Sequence, residues 1–359
     1  MEEKKMAILQ AIAAALLFGL SAPLAKILLT NIAPIPLAAF LYLGSGIGLG
    51  VFQSIQFHSK SEKQEASLSL KELPWLVGSI GFGGILAPII LMISLKYTYA
   101  STASLLLNFE GVATSLIALY FFKENLGKRM VSALLVITLA SIILSWNGNN
   151  QWGFSLGALG ILGACICWGI DNNFTRNISM KNPFTIVIIK GFTAGIFSLC
   201  LALGLHQFIP TFWPIILAMV LGFFSYGLSI VLFVLAMRTL GSSRTSAYFA
   251  TAPFIGTLIS FFLFHNLPTR LFYLALPMMI IGTVIILKEN HCHEHEHCPI
   301  EHDHRHSHTD GHHEHTYENE EEFFHGPHSH LHSHRALKHS HTHTPDIHHR
   351  HTHGARKEE

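Results

Sequence analysis

Ten apolar segments, each close to the length that crosses a bilayer, occupy most of the chain between residues 6 and 287. A transmembrane helix needs about 20 mostly apolar residues. The membrane interior supplies no water to open backbone groups, so only helices and closed β-barrels can span it. Barrel strands alternate apolar and polar residues over roughly ten positions, whereas these segments are continuously apolar. The sequence therefore predicts an all-α integral membrane protein with ten transmembrane helices.

We number these segments 1–10 in chain order. Their predicted bounds are about 6–29, 34–57, 74–95, 100–122 and 129–146 for segments 1–5, and about 153–175, 184–205, 213–237, 243–264 and 270–287 for segments 6–10. Only 13% of the residues are charged, against roughly 25% in average soluble proteins. The sequence shows no basic patch with interleaved aromatic residues and no nucleophile–base set, which argues against a nucleic-acid partner and against an enzyme.

The distribution of lysine and arginine between the loops predicts the orientation in the membrane. If the N-terminus is cytoplasmic, the cytoplasmic loops carry thirteen Lys and Arg residues, while the outer loops carry Lys96 and Arg270. Cytoplasmic loops of membrane proteins are enriched in these residues. We therefore expect a multi-pass protein of the cell (plasma or inner) membrane with both termini in the cytoplasm.

An internal repeat divides the chain into two halves of five segments, residues 6–146 and 153–287. Residues 18–26 and 168–176 both carry an aromatic–glycine pair followed by a cation seven residues after the glycine. Segments 4 and 9 align in the same order through a basic residue, a start rich in small residues and an apolar stretch. Because each half has an odd number of segments, the halves must insert in opposite orientations. Inverted repeats are typical of secondary transporters, which place the substrate site at the repeat interface.

Over residues 6–287 the chain resembles the drug/metabolite transporter superfamily, in its EamA-like branch. The matching features are Gly19 to Lys26 in segment 1, Leu107-Asn108-Phe109-Glu110-Gly111-Val112 in segment 4, Phe122-Lys123-Glu124-Asn125 at its end, Trp168-Gly169-Ile170-Asp171-Asn172-Asn173 in segment 6, and Arg244 to Phe249 with Ala252-Pro253-Phe254 in segment 9. The resemblance implies two EamA repeats of five helices each, and export or exchange of amino acids, metabolites or drugs. The second repeat has His265-Asn266 where the first has Lys123-Glu124, so that glutamate is not a shared functional acid.

Ionisable residues inside the segments are the first candidates for substrate contact or ion coupling, because they are costly in a membrane and usually face a cavity or a partner. They are Lys26, Glu110, Asp171 and Lys190. Glu110 lies near the middle of segment 4, where it either couples protons and contacts substrate or forms a structural hydrogen bond. Asp171 and Lys190 lie in neighbouring segments, where they form either a structural ion pair or a gate.

Further candidates are the polar residues beside these charges. Asn108 precedes Glu110, Asn172 and Asn173 follow Asp171, and Tyr248 lies early in segment 9, as a site wall or as ordinary packing. Three prolines inside the segments, at positions 23, 88 and 253, each free a backbone carbonyl. Broken helices of this kind often line transporter sites, although kinks that face lipid are the alternative.

The tail, residues 288–359, lies outside the repeat and contains most of the 26 histidines. It is polar and of low complexity, so we expect it to be disordered on its own. Imidazole and thiolate suit Zn(II), Ni(II), Co(II) and Cu. The candidate metal ligands are His291, Cys292, His293, His295, His297, Cys298, His302, His304, His306 and His308.

These observations favour a secondary transporter of a small solute that requires no cofactor and has a metal-binding tail. The alternatives are a transition-metal transporter and a membrane protein that senses or stores metal. The expected partners are the lipid bilayer, the solute, transition-metal ions at the tail and, as a further option, a second copy of the chain in a homodimer.

Overall fold

A computed structural model describes residues 2–56, 68, 70–122, 127–146, 155–178, 181–240, 245, 248–265, 268–287, 292–296, 300–306, 328–334 and 338–342. Every predicted segment contains helix. The α-helices are Glu2–Gly19 and Ser21–Leu28 in segment 1, Pro34–Gln56 in segment 2, Leu73–Ser79 and Ala87–Lys96 in segment 3, Ala100–Leu106 and Phe109–Phe122 in segment 4, Lys128–Ser145 in segment 5, Leu156–Arg176 in segment 6, Pro183–Gly204 in segment 7, Phe212–Gly222 and Ser229–Leu240 in segment 8, Ala252–Phe264 in segment 9 and Arg270–Leu287 in segment 10.

Seven of the ten predicted segments are long and apolar enough to cross a membrane within the described residues: segments 1–5, 7 and 8. Segment 6 is a helix of 21 residues, but Asp171, Asn172 and Asn173 make it more polar than the others. In segment 9 the continuous described helix is Ala252–Phe264, with further helical residues at 245, 248 and 249, and segment 10 is a short apolar helix. The prediction of ten uniform spanning helices is therefore confirmed for seven segments.

Several segments are interrupted, and the interruptions fall at equivalent positions of the two repeats. Segment 3 contains a π-helix at Ile80–Leu86 and segment 8 contains one at Phe223–Leu228. Segment 4 breaks at Leu107–Asn108, and segment 9 has a turn immediately before Ala252. Helical irregularities lie close to each of the three predicted prolines, because proline cannot donate the backbone hydrogen bond that continues a regular helix.

The packing of the helices follows the same repeat symmetry. Segments 2 and 7, segments 4 and 9, and segments 5 and 10 pack as pairs of equivalent helices. Segment 1 packs against segment 8, while segment 6, its equivalent, packs against segment 3. Segments 2 and 7 approach most closely at Gly46 and Gly191, where an added Cβ on either residue would collide with the other backbone. The centre of the bundle is therefore built by both repeats.

The tail contains four short strands: β1 at Cys292–Glu296, β2 at Ile300–His306, β3 at His328–His334 and β4 at Lys338–Thr342. Strand β1 pairs antiparallel with β4, and β2 pairs antiparallel with β3. The expectation of a disordered tail is not confirmed for these residues. Histidine recurs at every second position there, which is the period of a strand.

Candidate functional site

Segment 6 carries the polar groups of the bundle centre on a surface that faces segments 3 and 4. Asp171 and Thr175 are one turn apart, as are Trp168 and Asn172, so their side chains extend from neighbouring turns of one helix. The helix packs closely against segments 3 and 4. These contacts connect the second repeat to the first.

Asp171 and Lys190 form the predicted ion pair, with 2.5 Å between Lys190 Nζ and Asp171 Oδ2. Two hydroxyl groups complete the arrangement, since Ser79 Oγ donates to Asp171 Oδ1 at 2.5 Å and Thr175 Oγ1 donates to the same oxygen at 2.9 Å. Lys190 Nζ also donates to Ser79 Oγ at 3.2 Å. Ser79 belongs to the first repeat, so this network joins the two repeats.

The carboxylate of Asp171 fits against the backbone of Gly83 in the π-helix of segment 3. An added Cβ at Gly83 would collide with that carboxylate, so only glycine permits this approach. Asp171 itself is 5% exposed. Sequence reasoning predicted the two charges but missed Ser79, Thr175 and Gly83, because a small residue in an apolar segment carries no distinctive signal.

Glu110 lies in the first turn of the helix Phe109–Phe122, directly after the break in segment 4. Asn172 Nδ2 donates to Glu110 Oε1 at 2.8 Å and to Thr114 Oγ1 at 3.1 Å. Thr114 Oγ1 in turn donates to the Glu110 carbonyl at 2.8 Å. Glu110 is half-buried and Asn172 is exposed. Among the described side chains no lysine or arginine forms an ion pair with Glu110.

Two further candidates, Lys26 and Asn173, donate hydrogen bonds to backbone carbonyls. Lys26 Nζ donates to the carbonyls of Leu95 and Lys96 at 2.6 and 2.9 Å, where a cation complements the negative end of the helix in segment 3. Asn173 Nδ2 donates to the carbonyls of Thr114 and Gly169, which ties segment 6 to segment 4.

Asn108 and Tyr248 lie at the interruptions of segments 4 and 9. Asn108 Nδ2 donates to the Leu105 carbonyl at 3.2 Å, and the Tyr248 carbonyl accepts from Thr251 Oγ1 at 2.6 Å. Each of these carbonyls also accepts a backbone N–H, from Asn108 and Thr251 respectively, so the side-chain contacts reinforce the turns at the two interruptions. The structure therefore brings Glu110, Asp171, Asn172 and Lys190 together, and places Asn108 and Tyr248 at the breaks.

An aromatic cluster, which sequence reasoning missed, fills the space between the repeats. Phe18 lies 6.5 Å from Trp168, 6.2 Å from Tyr226 and 5.3 Å from Phe249, measured between ring centroids. Tyr42 lies 5.6 Å from Tyr226. Phe18 and Tyr42 belong to the first repeat, and the other three rings belong to the second. We call these five residues the aromatic cluster.

Two of the three polar atoms in the aromatic cluster donate hydrogen bonds within the protein. Tyr42 Oη and Trp168 Nε1 both donate to the Gly83 carbonyl, at 2.6 and 3.2 Å. Tyr226 Oη is buried and has no partner of ordinary hydrogen-bond geometry among the described residues, although Ser21 lies beside it. A buried polar group without a full set of partners costs free energy, and a hydrogen bond to a ligand would remove that cost.

Candidate metal ligands divide between the strands and the undescribed residues. Cys292, His293 and His295 lie in β1, and His302, His304 and His306 lie in β2. The remaining predicted ligands, His291, His297, Cys298 and His308, lie outside the described residues, as do the motif residues Lys123, Glu124 and Asn125 and the loop residue Arg244. Where side chains are described, the structure has no group of three or more His, Cys, Asp and Glu residues placed to hold a metal.

Comparison with known proteins identifies the architecture. An uncharacterized transporter from Methanothermobacter thermautotrophicus is 24% identical over 269 residues, which cover 71% of this chain and 78% of that protein. A protein of known crystal structure aligns with a TM-score of 0.57 and 17% identity, covering 78% of this chain and 94% of the other, and so shares the fold. The model of the EamA-like transporter family matches twice, over residues 5–146 and 155–288. The chain is a multi-pass membrane protein that belongs to the EamA-like transporter family.

Proposed function

We propose that this protein is a secondary transporter that moves a small, amine-bearing organic solute through a site between its two repeats. The observation that carries the proposal is the position of Glu110 at the break in segment 4, next to Asn172 of the other repeat. Discontinuous helices at a repeat interface commonly form transporter sites, because their ends expose backbone and side-chain polar groups.

The charge of the site supports an amine. Asp171 and Lys190 neutralise each other at 2.5 Å, so the carboxylate of Glu110 gives the group of three a net negative charge. Within a membrane such a carboxylate requires a cation or a proton. The solute's ammonium group serves as that cation in the loaded state, and a proton replaces it in the return step.

The aromatic cluster supports a solute with an apolar or aromatic body. Rings recognise cations through their faces, with estimates of roughly 0.5–2 kcal/mol per contact, and they bury apolar surface. Tyr226 Oη provides a hydrogen-bonding group for a polar substituent of the solute. Amino acids, other amine metabolites and drug-like amines all meet this description, whether they are exported or exchanged across the plasma or inner membrane.

The metal-transporter alternative rests on the tail. In that case the tail would deliver or collect an ion, and the bundle would carry the ion or its complex. The two proposals differ in the cargo, so uptake of a radiolabelled amine and of Zn(II) by the same vesicles separates them.

Counterflow in proteoliposomes tests the proposal. Vesicles are preloaded with a panel of unlabelled amines, and entry of a labelled amine is followed. Glu110→Gln keeps a carbonyl that accepts from Asn172 but removes the charge, so we expect counterflow to fall at least about tenfold, equivalent to 1.4 kcal/mol. Glu72→Gln is the matched control, because Glu72 pairs with Lys181 at 3.6 Å outside the central site. Unchanged counterflow in Glu110→Gln would leave Glu110 only a structural role.

A further inference from the structure

The strand pairing in the tail places histidines opposite histidines. In the β1–β4 pair, His293 is the partner of His341 and His295 is the partner of His339. In the β2–β3 pair, the partners are His302 and His332, His304 and His330, and His306 and His328. We call these ten residues the histidine ladder.

The pairing of histidine with histidine follows from the register of the two strand pairs. Histidine occupies every second position in all four strands, so a shift of one residue would place each histidine opposite another residue type and on the opposite face. Instead, Glu294 is paired with Ser340 and Arg305 with Ser329. In this register every histidine position of the four strands except His334 is therefore paired with another histidine position.

The spacing within the histidine ladder suits a divalent transition metal. Directly opposed residues have Cβ atoms about 4.5–5.5 Å apart, and positions two residues along a strand are roughly 6.6 Å apart. Two adjacent rungs thus bring four histidine positions of one ribbon close together. Four nitrogen ligands at about 2.0–2.1 Å satisfy the tetrahedral preference of Zn(II).

Metal binding would also stabilise the paired strands. A two-stranded ribbon is marginally stable in water, and a polar tail has little apolar surface to bury. A metal bound by ligands from both strands joins residues that are distant in sequence, so its binding energy becomes folding energy.

We propose that the histidine ladder is a specific metal site for Zn(II) or a similar ion, in which the bound metal fixes the β1–β4 and β2–β3 pairing. This goes beyond the transport proposal, since it depends on the tail and not on the central site. The histidines at paired positions bind metal in preference to those elsewhere in the tail.

Metal titration of the purified full-length protein is the first test, with Co(II) absorption as the probe and Zn(II) as competitor. One variant replaces five histidines on one side of the ladder with asparagine: His293, His295, His302, His304 and His306. The control replaces five tail histidines that lie outside the described residues: His312, His313, His315, His351 and His353. We expect the dissociation constant of the first Co(II) equivalent to rise at least about tenfold in the ladder variant and less than about twofold in the control. An equal loss in both variants would overturn the proposal.

Disulfide trapping tests the register without removing any histidine. In full-length protein with Cys292 and Cys298 replaced by serine, Glu294→Cys is combined with Ser340→Cys, its partner across the strands. The control combines Glu294→Cys with Ser333→Cys, which is the partner of Glu301. An unstructured chain would close the shorter loop to residue 333 at least as readily. We expect Zn(II) to accelerate only the 294–340 disulfide, and equal rates for both pairs would contradict the assigned register.

Discussion

Breaking the ion pair between Asp171 and Lys190 should destabilise the bundle strongly. Both side chains are largely enclosed, with relative side-chain exposures of 8% for Asp171 and 12% for Lys190. Removing one partner of a buried pair leaves the other charge unpaired and costs roughly 3–5 kcal/mol. Asp171→Ala has a further cost, because Ser79 and Thr175 lose the oxygen to which they donate. We therefore expect Asp171→Ala to lose more stability than Lys190→Met, which leaves both hydroxyl donors with their acceptor.

A double-mutant cycle isolates the pair. Asp171→Asn combined with Lys190→Met removes both charges while keeping side chains of similar size. Its loss of stability should be about 2–3 kcal/mol smaller than the sum of the losses in Asp171→Asn alone and Lys190→Met alone, since neither charge is left unpaired in the double mutant. The measurement is unfolding by SDS or heat in detergent, followed by tryptophan fluorescence. Losses that add within roughly 0.5 kcal/mol would refute the coupling.

Exchanging the two residues should restore stability only in part. The exchange restores the charge pair but places a lysine against Gly83, where the backbone accommodates a short carboxylate. It also removes the acceptor of Thr175 from its position one turn away. Full recovery in the exchanged protein would show that charge alone, and not this geometry, stabilises the contact.

Four further predictions concern the orientation, the tail (two of them) and Lys26. Reporter fusions at residue 150 and at residue 359 should read outside and inside, since thirteen loop cations favour a cytoplasmic N-terminus, and an external C-terminus would contradict this orientation. Truncation after Lys288 should preserve membrane insertion and basal transport while changing metal tolerance, and loss of all transport at normal protein levels would instead make the tail part of the transport mechanism. Metal binding by the tail should weaken below about pH 6.5, because protonated imidazole cannot ligate, and titration at pH 5.5 and 7.5 checks this. Lys26→Met should lower thermal stability by removing the cation from the carbonyls of Leu95 and Lys96, whereas its replacement by arginine should retain most of it.

Sequence reasoning located the helices, the repeat and the charges because each depends on residue type and spacing. Continuously apolar runs of this length fit helices and lack the alternation of barrel strands, and Asp171 and Lys190 were conspicuous because buried charges are rare. The sequence predicted the equivalence of segments 4 and 9 but did not predict the break at Leu107–Asn108. No proline marks this break in the sequence.

The groups that complete the site could not be read from the chain. Tyr42 and Trp168 both donate to the carbonyl of Gly83, and this contact joins segments 2, 3 and 6 only after they have packed. The aromatic cluster likewise contains residues from both repeats, so no local sequence pattern predicts it. In the tail, the alternation of histidine was visible, but which strand pairs with which is a matter of register.

Accessibility next to Glu110 tests the central claim most directly, since a site between the repeats must meet water. The protein carries Asn172→Cys as its single cysteine, with the five native cysteines replaced, and is reconstituted in vesicles. Leu116→Cys is the control, because Leu116 is an exposed apolar residue of segment 4 and should face lipid. We predict that a membrane-impermeant thiol reagent labels position 172 and not position 116. We also predict that a transported amine protects position 172 from this labelling. Labelling of position 172 by lipophilic reagents alone, without protection by any amine, would contradict a solute site at the repeat interface.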